Sequence, residues 1–130
     1  MNDRYLYRAK RIDSGEWTYG YLYGIWERKY IFWGMTNNVP DMTEVDPSTI
    51  CQCTGLKNKN WHLIWENDIM VGHLDDMFPE NATYVSVIWR NGGFYTHQID
   101  SDDYDPLDEF DQNYFEVCGN VFDSPELLEG

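Results

Sequence analysis

Cys51 and Cys53 are separated by one residue, and neighbours at that spacing in a strand share a face, so both thiols could reach one ion. A structural zinc site needs about four ligands, usually in spaced pairs. Cys118, His62, His73 and His97 are the other soft ligands, but their spacing supplies no second pair. The residues therefore read as small buried strand cysteines, with no metal and no cofactor. Glu66 and Asp68 could share acid–base work from one side of an extended segment. The alternative is a turn in which Asp68 accepts nearby backbone N–H groups, which explains the residue types without a substrate. No nucleophile elbow, phosphate loop or H-E-x-x-H helix occurs, so no catalytic residue is assigned and the chain reads as a non-enzyme.

A third cluster is acidic. Asp100, Asp102, Asp103, Asp105, Asp108, Glu109 and Asp111 place seven carboxylates in twelve positions. A calcium loop starting at Asp100 fails, because Tyr104 fills a ligand position and Asp105 stands where glycine is required. Two readings stay open: a surface that imitates nucleic acid toward a basic host protein, and a solvated loop. The chain's net charge of -14 is uneven, with net +1 over residues 1–65 and net -15 over residues 66–130. That second half repels nucleic acid and anionic membrane and suits a basic partner.

The fourth cluster is aromatic. Tyr19, Tyr21 and Tyr23 alternate on one strand face near Arg4, Arg8, Lys10 and Arg11. An exposed face of that kind stacks single-stranded bases. The preferred reading is a core or a subunit interface, where Tyr and Trp are enriched.

The elements that must carry these groups are strands. The chain is 17% aromatic, and large flat side chains fit a pleated, half-buried surface. "RYLYRAKRI", the turn "DSGE" and "WTYGYLYGIW" form a hairpin, and "RKYIFWGM" follows as a third strand. "TNNVPDMTEVDPST" reads as a loop rich in Asn, Pro and Asp. "ICQCTGL", "WHLIW" and "IMVGHL" are strands, and "ATYVSVIWRNGGFYTHQI" is a hairpin turning at Asn91-Gly92. "YFEVCGNVF" is a last strand, and "SPELLE" one helical turn with Ser124 as its cap. The expected fold is mainly β: a small barrel or sandwich of short antiparallel strands, with at most a short helical turn near the C-terminus. Its 130 residues make one domain, or two β subdomains divided at about 45/46. No apolar run reaches the roughly 20 residues of a membrane helix, and the polar start lacks a signal-peptide pattern. A reducing bacterial cytoplasm is the expected compartment.

Two stretches resemble the YopX family of phage and prophage proteins. "VDPSTICQCTGLKNKNWHLIWENDIM", Val45 to Met70, is similar to that family's D-P-x-T start, T-G-L-x-D-x-N-G turn and E-G-D-I strand entry. "FEVCGNVFDSPELLE", Phe115 to Glu129, is similar to its ending V-x-G-N-x-[FY]-[DE]-x-P-E-L-L. The motif residues are Thr54, Gly55, Leu56, Asn60, Glu66, Asn67, Asp68, Gly119 and Asn120. Asn58 and Trp61 depart from the family's aspartate and glycine, and Asn67 replaces the glycine of E-G-D. Asparagine tolerates a left-handed backbone, so Asn67 can keep its turn. Trp61 cannot do so cheaply, so either that turn is rebuilt or Asn60 takes the special conformation.

The resemblance implies a mainly β, phage-encoded protein that self-associates, and it carries over no catalytic residue. The expected function is protein binding or assembly, with an unknown and basic host protein as one partner and a second copy as another. Inhibition of a host nucleic-acid-binding protein through the acidic run is the first alternative. Single-stranded nucleic-acid binding through the aromatic strands is the second.

Overall fold

The alternation of large and polar residues becomes eleven β-strands in the computed structural model, which describes residues 5–73, 82–98, 101, 104–108 and 114–128. They are β1 (Tyr7–Lys10), β2 (Trp17–Ile25), β3 (Arg28–Thr36), β4 (Val39–Val45), β5 (Cys51–Lys57), β6 (Leu63–Trp65), β7 (Asp68–His73), β8 (Ala82–Arg90), β9 (Gly93–Gln98), β10 (Tyr104–Pro106) and β11 (Glu116–Asn120). Pairing is antiparallel in the sheets, and the helical elements with described bounds are the short 3-10 turns Pro47–Thr49 and Pro125–Leu128. The fold is thus the expected mainly β one. No helix among the described residues is long and apolar enough to cross a membrane.

The chain divides into two compact units, Met1–Cys53 and Thr54–Gly130. The division lies inside β5, later than 45/46, because the segment after β4 stays tied to the first strands. Asp46 caps the Pro47–Thr49 turn, its carboxylate accepting from the Ser48 N–H at 3.0 Å. The Thr49 hydroxyl accepts from the Lys10 N–H at 2.8 Å, and Cys51 and Gln52 then pair with β1.

In the first unit the strands follow the order β4-β3-β2-β1-β5. The sheet curls until the end of β4 reaches the end of β1: Arg11 bridges Val45, the Asp46 N–H donates to Lys10 O at 2.9 Å, and the Ile12 N–H to Glu44 O at 3.1 Å. The result is a partly closed barrel around Ala9, Ile31 and Val45, with Tyr7 and Ile50 at the margin. Gly20 permits the tight curl, since a Cβ there would overlap the Phe32 carbonyl.

β4 corrects the expectation of a loop over "TNNVPDMTEVDPST". Asn37 and Asn38 both take positive φ (+51° and +66°), which makes a tight two-residue turn rather than an open loop. Pro40 is accommodated because β4 lies at the end of the strand order, where a missing N–H breaks no ladder.

In the second unit five strands follow the order β10-β9-β8-β7-β11, and β6 pairs with β5. The core is Ile64, Met70, Val85, Val87 and Phe115. The β8–β9 hairpin turns at Asn91-Gly92 as expected, with φ of +52° and +83°. β10 shows that the acidic connection is not all loop: Tyr104, Asp105 and Pro106 pair with His97, Thr96 and Tyr95.

Candidate functional site

The motif residues of the second unit build a turn framework. The Thr54 hydroxyl donates to Ile64 O at 2.7 Å and accepts from the Leu56 N–H at 3.1 Å, bracketing Gly55 at φ +84°. Asn58 is buried, and its Oδ1 accepts from the Asn60 N–H at 2.9 Å and the His62 N–H at 3.1 Å. Asn67 takes φ +69°, donates to Val87 O at 2.7 Å and accepts from the Val121 N–H at 2.9 Å. Asp68 is 1% exposed, and its Oδ2 accepts from the Trp65 N–H at 2.8 Å. Asp68 and Ile69 pair with Asn120 and Gly119, so the two stretches far apart in sequence meet here. Asn120 Oδ1 in turn accepts from the Phe122 and Asp123 N–H groups at 3.0 and 2.9 Å. A Cβ on Gly119 would come within 2.9 Å of the Ser124 side chain, so glycine lets the last 3-10 turn fold back on β11.

These are chain-to-chain bonds: buried carbonyl and N–H groups find side-chain partners where the ladders stop. Asp68 bonds backbone, while Glu66 is only half-buried, so burial separates the two carboxylates considered as an acid pair.

The special conformation in the first turn falls on Trp61, not on Asn60. Trp61 has φ +65° and is 77% exposed, with Lys57 5.9 Å from its ring. Asn58 explains why: its side chain gathers two N–H groups and its O accepts from the Trp61 N–H at 2.9 Å, which closes the turn at Trp61. Asn60 instead reaches Glu116 through Nδ2 at 3.3 Å, beside the Lys59–Glu116 ion pair at 3.6 Å. A left-handed non-glycine residue costs about 1–2 kcal/mol. Trp61→Gly should therefore raise the midpoint of urea unfolding, with a net gain of about 0.5–1 kcal/mol after the lost cation–π contact. A lowered midpoint would show that the indole contributes more than its strain removes.

Cys51 and Cys53 are both fully buried, and the Cys51 thiol donates to Thr49 O at 3.2 Å. Cys118 is exposed, donates to Ile69 O at 3.4 Å, and has a thiol pKa raised above the ordinary value, chiefly by desolvation. That keeps it protonated, which is poor preparation for a nucleophile. His62 is exposed, while His97 hydrogen-bonds Ser101 O at 2.8 Å and stacks on Tyr104. No group of three His, Cys, Asp or Glu with metal-binding proximity occurs among the described residues. Of the acidic run, Asp105 and Asp108 are exposed; Asp100, Asp102, Asp103, Glu109 and Asp111 lie outside the described residues.

The first unit carries a different surface. Residues directly opposite in antiparallel pairs share a face. Tyr21 thus lies beside Phe32 and Met42, and Tyr23 beside Tyr30 and Glu44. Ile31 and Val45, on the other face, are the barrel core, so these aromatics form its outer wall. Tyr21, Tyr23, Ile25, Tyr30, Phe32 and Met42 are among the residues that line an apolar hollow of about 610 Å³, together with Leu22 and Pro40. A second hollow of about 550 Å³ adjoins at the hairpin tip, sharing Ile25 and Tyr30 and adding Trp26, Glu27 and Arg28.

The expected alternation of Tyr19, Tyr21 and Tyr23 on one face is present, but the cations beside them are occupied. Arg8 is buried with its guanidinium 4.7 Å from the Trp17 ring centre, and Lys10 lies 5.4 Å from the same ring. Arg11 pairs with Asp13 at 2.9 Å, and Arg4 lies outside the described residues.

Sequence reasoning missed Trp26. It opens the two-residue turn between Ile25 and Arg28, takes φ +54° and is 95% exposed. Glycine would relieve that backbone, and the chain instead presents its largest side chain to solvent. The available signal was the spacing itself: "IWERKY" leaves room for only two residues between strands.

A family model described as YopX protein matches residues 6–129. Among solved structures, the chain is similar to the crystal structure of protein EF1440 from Enterococcus faecalis, at 20% identity and a TM-score of 0.58. The match covers 94% of this chain and 96% of that one, and at that identity it speaks to fold. No curated protein matches.

Proposed function

The chain belongs to the YopX family, and from that premise we propose that it is a non-enzymatic, phage- or prophage-encoded protein-binding module whose contact surface is the outer aromatic wall of the first unit. One observation carries this reading: the apolar hollow on that wall runs into a fully exposed tryptophan held in a strained turn. Strain of this kind persists where function requires it, and exposed Trp and Tyr are the usual anchors of protein interfaces. The occupant we propose is a different protein; the wall lies in the half of the chain whose net charge is only +1, so charge does not choose among partners there and the experiments below do. The acidic reading retains Asp105 and Asp108 as exposed carboxylates, and the same experiment tests it.

Three baits separate the readings in nuclease-treated host lysate: wild type, a wall variant (Tyr23→Ser, Ile25→Ser, Trp26→Gly) and an acidic variant (Asp105→Asn, Asp108→Asn). A protein captured by the wild type and the acidic variant but lost from the wall variant is the expected result. Purified, that protein should bind the wall variant at least about 30-fold more weakly, as for loss of an anchor worth 2 kcal/mol or more. Capture retained by the wall variant refutes the reading, and loss only from the acidic variant moves the contact to Asp105 and Asp108. Light scattering covers the remaining occupant: a dimer of the wild type that the wall variant dissolves would reassign the wall to self-association.

Trp26→Gly alone should raise stability, by about 1 kcal/mol, while weakening binding. A drop in both would mean that Trp26 supports the hairpin rather than a partner.

A further inference from the structure

We infer that the outer wall receives a lysine or arginine side chain from an extended segment of its partner, seated over Tyr23 and Tyr30 with the Glu44 carboxylate as counter-charge; this rests on the protein-binding reading above. Three strands place those groups in one row. Tyr23 is opposite Tyr30, and Tyr30 is opposite Glu44. Neighbouring strands are about 4.8 Å apart, so the row spans roughly 10 Å, within reach of one long cationic side chain.

The chain's own cations show the chemistry. Arg90 sits 3.9 Å from the Tyr104 ring centre, and Arg8 and Lys57 sit over Trp17 and Trp61 at 4.7 and 5.9 Å. A ring face attracts a cation by its quadrupole, more strongly as water is excluded. Tyr23 and Tyr30 carry no such cation among the described residues, and neither Glu44 nor Glu27 has an ion pair there. A purely apolar guest would bury the Glu44 carboxylate without a partner, which is costly; a cationic guest pairs it. Arg28 lies opposite Ile25, one row nearer the tip, so it directs the incoming cation to the β4 side.

The test uses a fluorescent decapeptide alternating leucine and arginine, read by polarisation against the full chain. Controls replace arginine by citrulline, which keeps shape and removes charge, or by glutamate; a fourth probe is single-stranded oligo-dT. The arginine peptide is expected to bind at least about tenfold more tightly than the citrulline peptide. Glu44→Gln should weaken it about three- to tenfold, while Asp105→Asn with Asp108→Asn, which removes twice the charge elsewhere, should not. Tyr23→Ser should give a loss like that of Glu44→Gln, and thermal melts confirm that each variant is folded. Equal binding of arginine and citrulline peptides, indifference to Glu44→Gln, or preferential binding of oligo-dT each overturns the inference. If a lysate partner still depends on the wall, that outcome removes the cation while leaving the protein-binding reading in place.

Discussion

Asp68→Ala should lower the stability of the second unit by about 2–3 kcal/mol, the cost of leaving a buried N–H without its charged acceptor. The orphan is the Trp65 N–H, which Asp68 Oδ2 accepts at 2.8 Å in a turn where both residues are buried. The neighbouring Asn67 is bound from both sides, donating to Val87 O and accepting from the Val121 N–H. The damage should therefore reach the contact between β7 and β11 as well as the turn itself. Hydrogen exchange checks this: the Trp65, Asn67 and Val121 amides should lose protection, while those of β2 and β3 keep theirs. Asp68→Asn should recover much of the loss, because its side-chain carbonyl still accepts. Full stability in Asp68→Ala would mean that water takes over the Trp65 N–H and that the turn is held by its backbone alone.

Much of this turn framework was legible because its residues are chosen for backbone reasons. Asn67 tolerates a left-handed backbone, and Asp68 bonds nearby N–H groups; both follow from residue type and local spacing. The Asn91-Gly92 hairpin was legible for the same reason. Trp61 was the exception, since the conformation there is imposed by Asn58, whose burial no local pattern reveals. β4 was hidden by composition. Asn37-Asn38 reads as loop until both asparagines are allowed positive φ, and Pro40 reads as a breaker until the strand is known to sit at the end of its order. The aromatic wall was half legible. Alternation placed Tyr19, Tyr21 and Tyr23 together, but which face is core depends on Ile31 and Val45 meeting across strands. The partners of Arg8 and Lys10 depend on the same long-range pairing, so cations that look available in sequence are already seated on Trp17.

Ile31→Ala should cost about 3 kcal/mol and act on the first unit. That unit has few fully buried apolar side chains, with Ala9, Ile31 and Val45 forming its core cluster. Ile31 is the largest of them. The space it leaves cannot be refilled easily. Its Cγ2 lies 3.1 Å from where a Cβ on Gly20 would be, and Gly20 has no side chain to move in; the Phe32 carbonyl blocks any replacement there. A cavity that cannot collapse keeps its full penalty. A domain of about 50 residues has roughly 3–8 kcal/mol of stability at the usual 0.05–0.15 per residue, so this one substitution removes a large part of it. The consequence reaches the surface through strand geometry. Tyr30 and Phe32 flank Ile31 and point outward, so the core residue sets the spacing of the wall that a partner would meet. Exchange should rise at β2 and β3 amides, with β7 and β8 unaffected, and partner binding should weaken in step with that opening. A uniform rise across both units would show instead that they unfold as one cooperative body, and the wall would then owe its order to the whole chain.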